Sequence, residues 1–469
     1  MQNTDTLNSG TGSTRFLAMV CFVASLGGIL FGFDTAVISG TVSMVEAQFS
    51  LDKLAVGWFG SSALVGAILG SMVAGILGDR YGRKPILIIS AILFFFSALG
   101  SAIPPSFSLL IPARLLGGLG IGIASVLAPL YISEFSPPTI RGRLVALYQM
   151  SIVIGILLAY FSNWWLLGFS QNHIDTFSST GILHQVMVSE VWRGMFGAEM
   201  IPAALFFFLL LIIPESPRWL VKEGREEEAN KILIKLGGAV RANQELKAIH
   251  NAVVERSGSL KELLKPGFRL ALIVGLGLSI FGQFTGVNIV VYYGPDILKD
   301  AGFNFDSALK FQVAIGLINL IFTALALWKI DTWGRRPLLI GGMVSVFVSL
   351  IIIGIMFSIP ETQGIWIVVM LCIYMASLAF SINAVIWVLL GEIYPIRMRG
   401  RAMSIATFAN WGTNFITAFI FPWFVAQIGM GAGFFVFAGF CFVAVVFFYK
   451  FIPETKRKSL EEIEAYWAR

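Results

Sequence analysis

Charge is scarce in this sequence. Lys, Arg, Asp and Glu together make up 13% of 469 residues, against about a quarter in soluble domains, so an ordinary water-facing surface cannot be assembled. Cysteine is nearly absent, and Cys21, Cys372 and Cys441 all fall inside apolar stretches, with neither metal-site spacing nor a disulfide framework. They read as packing residues. His173, His184 and His250 lie in loops, which argues against a membrane metal site. No nucleophile and base pair falls within the apolar stretches, so neither an enzyme nor a bound cofactor is expected. Alternating polarity is also missing: the run Phe206-Phe207-Phe208-Leu209-Leu210-Leu211-Ile212-Ile213 excludes the strand pattern of a membrane β-barrel.

What is present is apolar length. Hydrophobic residues reach 57%, gathered in twelve runs at about 16–43, 55–78, 85–106, 109–132, 145–168, 193–213, 268–294, 310–329, 337–359, 365–390, 403–425 and 430–451. Each is of the order of the ~20 residues a helix needs to cross a bilayer. The expected fold is all-α and polytopic, with twelve transmembrane helices in two six-helix repeats. The first run follows Arg15, exceeds a signal-peptide core and lacks a small-residue cleavage site, so it reads as a retained helix.

Lys and Arg set the orientation. Arg80, Arg83, Lys84, Arg141, Arg143, the basic residues from Arg218 to Arg269, Lys329, Arg335, Arg336, Arg397, Arg399 and Arg401 share one set of loops. The other set holds little beyond Lys53, Arg193, Lys299 and Lys310. Basic loops stay cytoplasmic, which predicts a multi-pass protein of the inner or plasma membrane with both termini inside. The net charge of +6 then belongs to topology and anionic lipid rather than to nucleic acid.

The polar interval 214–267 separates an N-terminal bundle, 1–213, from a C-terminal bundle and tail, 268–469. Glu226 to Lys235 carries apolar residues at helical spacing, as expected of short amphipathic helices in a cytoplasmic linker. The loop 169–191 is polar, is placed outside and carries no motif. An internal repeat supports the division: Asp79-Arg80-Tyr81-Gly82-Arg83-Lys84-Pro85 recurs as Asp331-Thr332-Trp333-Gly334-Arg335-Arg336-Pro337. Glu134 with Arg141-Gly142-Arg143 recurs as Glu392 with Arg399-Gly400-Arg401. Parallel repeats of this kind place a substrate site between the halves near the bilayer midplane.

Three ionisable residues lie within apolar runs: Asp34 in the first, Arg114 in the fourth and Glu199 in the sixth. An ion at membrane depth costs at least ~2.5–3.5 kcal/mol, so each marks a pair, a titration or a polar path. For Asp34 the plainer alternative is a permanent salt bridge with Arg114. A polar set of Gln283, Asn288, Tyr292, Tyr293, Trp387, Asn410, Trp411 and Asn414 falls in the seventh, tenth and eleventh runs, with Phe31 in the first. Amides and an aromatic plane at membrane depth can line a site for a small polar solute, offering donors, acceptors and an apolar face. Interhelical hydrogen bonding would use the same residue types.

Gly78 to Lys84, Pro214-Glu215-Ser216-Pro217-Arg218-Trp219-Leu220, Asp331 to Arg336 and Pro453-Glu454-Thr455-Lys456 form an ordered set over almost the whole chain. In this the sequence resembles the sugar porter branch of the major facilitator superfamily, and within it the bacterial xylose:proton symporters. The resemblance implies import of a monosaccharide, pentose or hexose, with a proton by alternating access, by a protein functional as a monomer. It implies that Asp34 takes up the proton and that Arg114 modulates it, with Glu199 matching a symporter acid. By this matching Gln283, Asn288, Trp387 and Asn410 fall on the family's sugar contacts, and Phe31 and Tyr292 complete the expected substrate-binding set. Asp79, Arg83, Glu134, Arg143, Glu215, Arg335, Glu392 and Arg401 become the expected conformational latch of the outward-facing state, formed of charge-assisted pairs that break as helices separate. The chain departs from the family pattern in three places: Ile156 and Gly282 stand where it has Gln, and Ile382-Asn383-Ala384 replaces Trp-Gly-Pro. These keep an uncoupled sugar or polyol facilitator open, and a non-transporting sugar sensor as a remote alternative.

Overall fold

The computed structural model describes residues 13–137, 139–173, 181–254, 268–359, 364–394, 398–456, 458 and 460–467. Parts of the linker (255–267), the outer loop (174–180), both chain ends and Arg397 therefore lie outside the described residues. Among the described residues every regular element is helical. The first group comprises α1 (Thr14–Val37, continued as a 3-10 turn Ile38–Gly40), α2 (Val42–Phe49), α3 (Lys53–Tyr81), α4 (Arg83–Ala102), α5 (Phe107–Phe135), α6 (Arg141–Asn172), the short α7 (Ile182–His184), α8 (Val191–Gly197) and α9 (Met200–Ile212). The linker forms α10 (Pro217–Lys222) and α11 (Glu226–Val254). The second group comprises α12 (Phe268–Gln283), α13 (Val287–Asp300), α14 (Phe305–Trp333), α15 (Arg335–Ser358), α16 (Ile365–Phe380), α17 (Ile382–Ile393), α18 (Arg399–Ile428), α19 (Met430–Phe451) and α20 (Leu460–Trp467).

Among the described residues, eleven stretches are long and apolar enough to cross a membrane. The twelfth predicted span is α18, a single helix of 30 residues whose apolar run is interrupted by Asn410 and Asn414.

Three predicted spans are broken. The sixth changes from α8 to α9 at Ala198 and Glu199, the seventh turns at Gly286, and the tenth turns at Ser381. Gly286 sits at φ +81°, where a side chain would be strained, and its α-carbon faces the Phe437 ring. Ser381 takes φ −117°, ψ −102°. Hydropathy stays high through all three breaks, so the sequence pattern reads each as one run.

Small residues let the helices approach. Gly66 and Gly70 of α3 abut Leu115 to Gly122 of α5, and Gly32 of α1 lies on the backbone of Ile152 and Ile156 in α6. Without a hydrophobic drive between helices in lipid, such backbone contact supplies much of the packing.

The linker lies on the first group. The backbone N–H of Ser13 donates to Lys235 O at 2.9 Å, and Trp219 Nε1 donates to Asp79 O at 3.1 Å. The amphipathic helix α11 bends at Gly238 (φ +77°), as the expected pair of short helices. In the second group α20 packs on α12 and α17.

We call the end of each span that carries the linker the linker side, and the opposite end the far side. The groups meet on the far side. Gly57 lies against the Phe419 carbonyl and Gly60 against Tyr293 Oη. Trp58 and Phe415 meet edge-on at 6.3 Å, and Tyr160 Oη donates to Val291 O at 3.3 Å. Phe31 and Trp411, with ring centroids 5.6 Å apart, close the contact near mid-span. Towards the linker side Arg143, Leu147, Arg401 and Phe408 are exposed. The structure is therefore closed on the far side and open on the linker side.

Candidate functional site

Asp34 on α1 and Arg114 on α5 are paired towards the far-side ends of their spans. Arg114 Nη1 donates to Asp34 Oδ1, with the residues 2% and 0% exposed. Arg114 Nη2 also reaches the Asp34 carbonyl at 3.3 Å, and the guanidinium lies 5.1 Å from the Phe196 ring centroid. A pair this dry survives because each ion offsets the other's desolvation. The pair is incomplete, however: Asp34 Oδ2 and Arg114 Nε have no hydrogen-bond partner among the described residues.

Glu199 stands at the α8–α9 break, within electrostatic reach of both ions. It is fully buried, and neither carboxylate oxygen has a hydrogen-bond partner among the described residues. Three ionisable side chains, two of one sign, thus share one buried site. Gly117 makes room for it: a side chain there would press on Asp34 Oδ2 and Ser97 Oγ.

The polar residues of the second group converge beside this site. Asn288 Nδ2 donates to Gln283 Oε1 at 2.6 Å across the α12–α13 break. Asn414 Nδ2 donates to Tyr292 Oη at 3.1 Å, and Tyr292 lies within electrostatic range of Asp34 and Arg114. Asn410 Nδ2 reaches Ser279 O at 3.4 Å. Trp387 on α17 is 39% exposed. Phe31 reaches across from the first group to Trp411. Gln312, which sequence reasoning missed, is buried with Nε2 on Val290 O at 2.9 Å and Oε1 unpartnered. An amide within an apolar helix was its available signal. Two of the departures touch, because Gly282 packs against Ile382 and Ile386.

At the linker-side helix ends the repeat appears as two matching clusters. Arg83 grips Glu134 through Nη2 at 3.0 Å and Nε at 3.1 Å, with Asp79 at 3.1 Å. Glu215 accepts the backbone N–H groups of Arg83 at 3.2 Å and Lys84 at 3.1 Å, capping α4. Burial pushes its carboxyl above the ordinary value, opposed by the N–H groups of Ser216, Lys84 and Arg83 and by the Arg83 charge.

In the second group Arg335 holds Glu392 at 2.9 Å and Asp331 at 3.0 Å. Glu454 caps α15 on Arg335 and Arg336 N–H at 3.2 and 3.1 Å, and Thr455 Oγ1 donates to Glu392 at 2.6 Å. Glu454 is the counterpart of Glu215 that was missed as a site residue, although Pro214-Glu215-Ser216 and Pro453-Glu454-Thr455 carry the same pattern.

The expected latch residues fall into two sets. Both Arg–Glu pairs are closed in a structure open on the linker side, because each joins helices within one group. Arg143 and Arg401 are exposed and have no ion pair among the described residues, because the facing helix ends are apart on this side.

Two groups of six spans, each locked by its own charge cluster and meeting over a buried ion pair and a cluster of amides and aromatics, define a polytopic membrane carrier. The family profile described as "Sugar (and other) transporter" matches residues 20–467. The arabinose-proton symporter of Bacillus subtilis (strain 168) is 38% identical over 458 residues, covering 97% of this chain and 96% of that one. The D-xylose-proton symporter of Escherichia coli (strain K12) is 37% identical over 493 aligned positions, covering 97% and 96%. The inward open conformation of the xylose transporter XylE from E. coli is similar with a TM-score of 0.82 at 35% identity, covering 96% of this chain and 100% of that one. The chain belongs to the sugar transporter family of the major facilitator superfamily.

Proposed function

We propose that the protein imports a monosaccharide, pentose or hexose, together with a proton. The bundles 1–213 and 268–469 would rock about the central site, with the linker 214–267 and both termini cytoplasmic. The observation that carries this reading is the buried Asp34–Arg114 pair with the unpartnered Glu199 beside it. Protonating Asp34 removes its charge and frees Arg114. If the protonated form favours sugar binding or reorientation of the loaded carrier, an inward proton gradient drives uptake, and sugar must in turn raise proton affinity. The two relatives named as proton symporters support the coupling.

Phe31, Gln283, Asn288, Tyr292, Trp387 and Asn410 line the sugar's place. The linker side is the cytoplasmic side, since its helix ends carry the Arg clusters. On closure of that side Arg143 and Arg401 approach the opposite bundle and favour the outward-facing state. The protein acts in the bilayer as a monomer.

The test is uptake into proteoliposomes of pentoses, hexoses and inositols, with and without an imposed pH gradient. Gradient-driven accumulation is expected, and Asp34→Asn should abolish it while sparing counterflow exchange. Accumulation that persists in Asp34→Asn would sink the coupling. Uptake indifferent to the gradient would favour an uncoupled facilitator, the second reading, which the apolar Ile156 and the Gly282–Ile382 contact support.

A further inference from the structure

We propose that Asn383 is a sugar-binding, specificity-determining residue, standing in for the amide that the seventh span lacks at Gly282. This rests on the carrier reading above and names a further contact of the same site.

The helices α12 and α17 are neighbours. They run in opposite directions, α12 rising from the linker side and α17 returning to the Glu392 cluster there. They touch through Gly282, where an added β-carbon would lie 3.3 Å from Ile386 Cδ1 and 3.5 Å from Ile382 Cγ1. One residue further along a helix turns the side chain by about 100°. In antiparallel neighbours that turn carries both helices to the same side of their contact. Gln283 on α12 and Asn383 with Trp387 on α17 therefore project together.

Burial agrees with this wheel. Gly282, Ile382 and Ile386 are buried, Gln283 and Asn383 are half-buried, and Trp387 is exposed. One turn beyond Trp387, a side chain at Gly391 would meet nothing within 4 Å, so the strip opens towards the linker side.

The amide of Asn383 makes no hydrogen bond with any described residue. Gln283 offers Nε2 while its Oε1 is held by Asn288. Asn383 brings both an acceptor and a donor, the pair a vicinal diol satisfies, with Trp387 as an apolar plane one turn away. Substrate polarity would therefore be read from α17 as well as from Gln283, with the Trp387 ring facing the sugar's apolar edge. A carrier built this way should discriminate sugars by one hydroxyl, because a desolvated amide left unpaired rejects the analogue lacking it.

The experiment measures KM and maximal rate for wild type and Asn383→Ala in proteoliposomes, over the same sugar panel and the deoxy analogues of whichever sugar is taken up best. Expected is a KM rise of about tenfold for that sugar, with the maximal rate kept. For one deoxy analogue wild type and variant should become equal, since that analogue already lacks the contact. An unchanged KM, or one raised equally for the parent and every analogue, overturns the assignment. Should Asn383→Ala fail to insert, Asn383→Ser carries the same comparison. A wild type that takes up no sugar in the panel defeats the carrier reading and this inference with it. An active wild type with an indifferent variant defeats this inference alone.

Discussion

Gly117 shows how a residue without chemistry can govern a site. Its bare α-carbon lets α5 approach Asp34 Oδ2 and Ser97 Oγ. Gly117→Val should abolish uptake and cost about 1–3 kcal/mol through overpacking, read as a lowered thermal midpoint of the purified protein. Uptake at the wild-type rate would show that the site has slack. Glu199 makes the opposite case: its two oxygens are buried without partners, so Glu199→Gln should hold or raise the thermal midpoint while altering the pH dependence of uptake. A large loss of stability would mean that the carboxylate is structural. At this scale Asp34, Arg114 and Glu199 were legible in the sequence because charge is rare in apolar runs. Gly117 was not, since a helical glycine announces no partner.

Among the elements, the two clusters at the linker-side helix ends extend the repeat. Glu215 and Glu454 each cap the start of a span through two backbone N–H groups. Replacing either by Gln should therefore cost comparable stability, about 1–3 kcal/mol, measured by thermal unfolding in detergent. A strongly unequal pair of losses would contradict the equivalence. Arg143 and Arg401 are where the halves differ from a closed latch. Neutralising both should increase labelling of a cysteine placed at Phe408, which is 54% exposed on the open side, because the outward-facing state would lose support. The repeat and the spans were readable as patterns of charge and apolar length. The breaks at Ala198–Glu199, Gly286 and Ser381 were not, because a helix can be interrupted at membrane depth without any polar run where neighbouring protein takes up the backbone.

For the whole molecule, the far side holds the halves together and has its own titrating anchor. That anchor lies within the first group, where Glu190 accepts from Gln48 at 2.6 Å, Gln185 at 2.9 Å and Arg193 at 2.6 Å. Partial burial raises its carboxyl pKa, but these donors and the Arg193 charge outweigh it, so the net shift is downward. A depressed folded value stabilises the protein above the ordinary carboxylate value of about 4.3, and that contribution fades as pH falls towards and through the folded value. Wild type should therefore melt above Glu190→Gln at neutral pH, with the gap closing on acidification. A gap that widens in acid would reverse the assignment.

The interrupted spans bear on leakage. Because α12 and α13 are separated by the turn ending at Gly286, and α16 and α17 by Ser381, these are the points about which one end of a span would swing while the other stayed seated. A passage worked by such half-length levers can be shut at both mouths at once. The cargo would then change sides as through an airlock, and no continuous water file need connect the two compartments for the proton gradient to drain through.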